Sequence, residues 1–102
     1  MEEYLVRDVV FDSKSPEALL AILRTGDPPN RGRAAASLAR LSAGNVPLLE
    51  TLAREILSPY ILRLRLMGTI TVGQIGLAAL LVSSDPQVRE RALLIMDEWP
   101  AP

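Results

Sequence analysis

The stretch Asp85-Pro86-Gln87-Val88-Arg89-Glu90-Arg91-Ala92-Leu93 decides how the rest of the chain is read. It places a side chain able to cap a helix directly before a proline. Proline is favoured at the first helical position because the N–H it lacks would have no partner there and its fixed φ suits a helix. Downstream, Val88, Ala92, Ile95 and Trp99 fall on one side of a helix over about 86–98. The same punctuation recurs at Ser15-Pro16, Asp27-Pro28 and Ser58-Pro59, and Asn45 stands shortly before Pro47. These starts imply about seven helices: residues 2–12, 16–25, 29–42, 46–57, 59–72, 74–82 and 86–98.

The helix over 46–57 has the cleanest pattern. Leu48, Leu49, Leu52, Ala53, Ile56 and Leu57 form one stripe, and Glu50, Thr51, Arg54 and Glu55 form the opposite face. In the helix over 29–42, Ala34, Leu38 and Leu41 share a face, and the Ala34-Ala35-Ala36 run lets a neighbouring helix approach closely. Gly26 and Gly44 are placed to end the helices before them. From Leu66 to Ser84 no residue is charged, about the length of a membrane span. Thr69, Thr71, Gln74, Ser83, Ser84 and three glycines interrupt its apolarity. A buried helix pair joined near Gly73 accounts for the same residues, and membrane association is not expected.

An Arg-x-Arg pair follows the proline in three of these helices: Arg31 and Arg33, Arg63 and Arg65, Arg89 and Arg91. The spacing between copies is in or near the range of helical repeats. The Asp85-to-Leu93 segment resembles the first helix of a HEAT-type repeat, in which an Asp-Pro turn leads into Val-Arg and then Ala. Asp27 to Leu38 is a second copy without the Val. Ser58 to Ile70 is a third, with Ser in place of Asp. The resemblance covers about residues 15–99. It implies an all-α fold, an α-α superhelix of about 3.5 HEAT-like helix pairs, within one helical-repeat domain over 1–102. A non-repetitive helical bundle is the alternative.

Composition limits the chemistry. The chain of 102 residues has no Cys and no His. The usual zinc ligand sets, thiol chemistry and Ser-His-Asp triads are therefore excluded. No glycine spacing matches a phosphate-binding loop. The one close Asp pair, Asp8 and Asp12, reads as solvation of a terminal helix. No catalytic residue, metal or cofactor is expected. Net charge is -1, which gives no general field for nucleic acid. The acidic Met1-Glu2-Glu3 start is unlike a signal peptide, so cytoplasmic residence is expected.

The resemblance implies a non-enzymatic protein-interaction module, a scaffold or regulatory adaptor, with another protein as its partner. An uncapped end of the stack would allow a homodimer. It also implies that the first Arg of each pair ties to an Asp of the adjacent turn, with Asp27 and Asp85 as candidates. A second reading makes Arg31, Arg33, Arg63, Arg65, Arg89 and Arg91 a ladder for a nucleic-acid backbone or phospholigand. A third, from bacterial HEAT-like proteins related to phycobilin lyases, is an accessory role beside an enzyme. Trp99 covers the end of the core or enters a partner's pocket.

Overall fold

Five of the expected helix starts are built as the sequence implies. In this computed structural model, which describes residues 2–100, the side chains of Ser15, Asp27, Asn45, Ser58 and Asp85 each accept a hydrogen bond from a backbone N–H of the helix they precede. The helices are α1 (Glu2–Leu5), α2 (Val9–Asp12), α3 (Pro16–Thr25), α4 (Pro28–Leu41), α5 (Val46–Leu57), α6 (Pro59–Leu62), α7 (Val72–Leu81) and α8 (Pro86–Asp97). Two short strands, β1 (Arg65–Met67) and β2 (Ile70–Thr71), stand between α6 and α7. The chain is mostly helical, and no helix among the described residues is long and apolar enough to cross a membrane. Ala101 and Pro102 of the expected tail lie outside the described residues.

α4 runs through the middle. Gly32 and every residue from Ala34 to Ala39 are buried. α3 and α7 pack along it, and α1, α2, α5 and β1 touch it as well. The small side chains of this run let several neighbours approach at once, because helix separation follows the size of the residues at the contact. Leu19 and Leu23 of α3, Leu52 and Ile56 of α5, Ile75 and Leu80 of α7, and Val88, Ala92 and Ile95 of α8 complete one shared core. The stripes read from α5 and α8 are the faces that are buried.

Two expectations fail. The helix over 2–12 is split, because Asp8 leaves the helical conformation and caps α2 through the Phe11 N–H. The helix over 59–72 is replaced by one turn of α6 and an antiparallel hairpin that pairs Arg65 with Thr71 and Met67 with Ile70. The reason is in the residues. After α6, Leu64 and Leu66 turn toward the protein while Arg63 and Arg65 are exposed, an alternation that fits a strand and no helix face. Gly68 closes the hairpin with a φ of 55°. The uncharged run is therefore a hairpin arm followed by α7, not a helix pair. Gly73 lies within α7, where a Cβ would stand 3.0 Å from the Leu62 Cα. It permits close approach and joins no helices.

The corrected hairpin makes a prediction of sign. In a helix, Gly68→Ala would raise stability by about 1 kcal/mol. At a positive φ it costs about 1 kcal/mol instead. Urea denaturation of Gly68→Ala should show a loss, and a gain would restore the helical reading.

Candidate functional site

The six arginines of the recurring pair go to different places. Arg31 donates to the Gly26 carbonyl and the Tyr60 hydroxyl, and its guanidinium lies over the Tyr60 ring. Arg33 grips Asp8 with two nitrogens, at 2.8 and 3.3 Å, and stacks 3.9 Å from the centre of the Phe11 ring. Arg89 donates to the Ser83 carbonyl at 2.7 Å, and Arg91 pairs with Glu50 at 2.8 Å. The side chains of Arg63 and Arg65 are exposed and make no hydrogen bond or ion pair among the described residues. The turn acids take other roles than the resemblance implies. Asp27 caps α4 and holds the Asn30 side chain. Asp85 caps α8 and accepts the Gly44 N–H at 2.8 Å, tying the turn after α4 to the start of α8.

The densest polar cluster joins α2 to α4. Asp8 and Asp12, four residues apart, face Arg33 and Arg40, seven apart on the same side of α4. Fully buried Ser37 donates to Asp12 at 2.5 Å. Arg40 reaches both Asp12 oxygens and the Tyr4 carbonyl. Hydrogen bonds from Arg33 hold the Asp8 carboxyl below its ordinary pKa, against a smaller opposing push from burial. For Asp12 burial is the largest single influence and pushes upward. The bonds from Arg40 and Ser37, the Arg40 charge and a backbone hydrogen bond at Asp8 together outweigh it, so this carboxyl is also lowered. The cleft beside the cluster, about 290 Å³, is lined by charges already matched within the fold. This cluster fastens the N-terminal segment. The Asp pair belongs to that fastening, not to simple solvation.

Arg63 and Arg65, without side-chain partners among the described residues, lie toward the opposite end of the chain. Arg63, Arg65, Thr69, Thr71, Trp99 and Pro100 line a cleft of about 380 Å³ between the hairpin and the end of α8. Thr71 caps α7, with Gln74 closing the reciprocal bond to the Thr71 N–H. Trp99 is half-buried and packs against the core. Its other neighbours, Gln74, Leu77, Ala78, Leu81 and Met96, line an apolar groove of about 300 Å³ between α7 and α8. Three of the residues singled out from the sequence thus meet at one place. Thr69 and Thr71 join them, though only the hairpin makes them neighbours of the arginines.

No protein-family model matches the chain, and no curated protein or solved structure is significantly similar to it.

Two predictions follow from the fastening cluster. Arg40→Ala leaves a largely buried carboxylate without its main partner and should lower stability by about 1–3 kcal/mol in urea denaturation. Asp8, Asp12, Glu50 and Asp85 all have lowered pKa values in the folded chain. Each binds fewer protons folded than unfolded. Their contribution is complete above the unfolded carboxylate pKa, about 4, and is lost as pH falls through the lower folded values. The urea midpoint should therefore decline steeply below about pH 4. A flat profile down to about pH 2 would contradict the assignment.

Proposed function

We propose that the chain is a non-enzymatic protein-interaction module, a scaffold or adaptor built of HEAT-like helix pairs, whose contact surface is its C-terminal end. One observation carries this reading. Beside the α7–α8 groove, Leu93 and Met96 are 56% and 47% exposed, and Leu94 and Val82 are 52% and 62% exposed. Exposed apolar side chains beside an apolar groove favour a contact surface, because covering them is favourable by about 25 cal/mol per Å². α8 supplies the pattern. Its buried line of Val88, Ala92 and Ile95 leaves Leu93 and Met96 on a second, outward line.

Stacked pairs are supported by the packing order. α3 lies against α4 and α7 against α8, and α4 and α7 pack across the two pairs. In a stack of helix pairs the outward face of a pair is the kind of surface that a neighbouring pair buries. The distribution of arginines favours this reading over a cationic ladder, since Arg31, Arg33, Arg89 and Arg91 are engaged inside the fold.

The test compares partners captured by the purified chain with those captured by a Leu93→Asp/Met96→Asp variant and by a Val10→Asp control. Val10 is as exposed but lies on α2. A partner held by the wild type and the control but lost from the double variant, with helical circular dichroism unchanged, is the expected result. Equal capture by all three removes the C-terminal face from the proposal.

A further inference from the structure

We infer that the C-terminal surface takes a short peptide segment in which an apolar side chain stands next to carboxylates. The apolar side chain seats in the α7–α8 groove against Trp99, and the carboxylates meet Arg63 and Arg65. The inference rests on the protein-interaction reading above and adds the chemistry of the partner.

Trp99 carries the argument, because it lines both hollows. The indole separates a basic cleft from an apolar groove, so one extended ligand can touch both at once. The groove is apolar except for Gln74 at its edge. The cleft offers two guanidinium groups that have no partner among the described residues, with the Thr69 and Thr71 hydroxyls beside them. Four arginines elsewhere in the chain pair with acids: Arg24 with Glu55, Arg33 with Asp8, Arg40 with Asp12 and Arg91 with Glu50. Glu98 lines an adjoining hollow with Arg63 but forms no ion pair with it. The cleft thus keeps two planar donors for a carboxylate from outside, and Arg binds carboxylates in a paired, directional way.

The same features weigh against a nucleic acid. A phosphate backbone needs a run of cations along its track. Here the two arginines are followed by an apolar groove, with Asp97 and Glu98 at the end of α8. A free phosphate would leave the groove unused. An amphipathic peptide uses both halves, an apolar anchor for affinity and charge for orientation.

The experiment pans a random peptide-display library against the full chain and titrates the enriched peptides while following tryptophan emission. Trp99 is the sole tryptophan, so its emission reports the site directly. Enriched sequences should place Leu, Ile, Met or Phe beside Asp or Glu, and binding should shift the emission. Arg63→Ala/Arg65→Ala should weaken binding on the order of tenfold. Replacement of both by Lys should restore part of the loss, and Arg54→Ala, an exposed arginine of α5, should leave binding unchanged. Enriched peptides without acids, lost on Met96→Asp but indifferent to Arg63→Ala/Arg65→Ala, overturn the inference and leave the interaction reading intact. A short oligodeoxythymidylate that displaces the peptides at lower concentration overturns it in favour of nucleic acid. Failure to enrich any peptide also overturns it, and the capture comparison then decides separately whether the interaction reading survives.

Discussion

The burial of α4 on nearly every side is the constraint on which the other elements depend. A helix can be surrounded this closely only if its side chains are small, and Gly32, Ala34, Ala35, Ala36, Ser37 and Ala39 meet that demand. Its charged residues must still reach water or a partner. Arg33 and Arg40 leave on one side and are received by Asp8 and Asp12. Arg31 leaves near the start of the helix and is received by Gly26 and Tyr60. Ser37 sits in the buried run without an unmet donor because Asp12 accepts from it. The N-terminal segment is thus the polar complement of α4, and Phe11 adds the apolar contact that seats it in the core.

The hairpin is the second organising element. Had residues 59–72 continued as a helix, Arg63 and Arg65 would have lain on a helix surface in register with the other pairs. Reversal at Gly68 instead brings Thr69 and Thr71 beside them and points the group at Trp99. The cleft exists because a strand pair and a helix end meet there. The same reversal delivers the chain to Thr71, whose reciprocal bond with Gln74 starts α7.

Legibility differed by kind of signal. Helix starts were readable because a cap followed by proline is local chemistry that needs no tertiary partner. The buried stripes of α5 and α8 were readable from spacing alone. The hairpin was also present in the residues, as the alternation of Leu64 and Leu66 with Arg63 and Arg65. A repeat of Arg-x-Arg masked it, because the same spacing of two reads as a motif in a helix and as a face in a strand. The fastening cluster had a weaker signal, two acids four apart and two arginines seven apart, each able to share a helix face. Nothing in the sequence says that these two faces meet.

The residues by themselves determined that the chain would be mostly helical, where five of its helices begin, and which faces of α5 and α8 turn inward. These are properties of short segments, set by backbone sterics, caps and hydrophobic spacing. Only the tertiary structure decided which arginines are engaged and which are free. The Arg-x-Arg pairs look alike in sequence, yet Arg33 and Arg91 pair with carboxylates while Arg63 and Arg65 pair with none among the described residues. The difference depends on which distant segments the packing around α4 brings alongside each pair. Composition and local spacing carry no record of that.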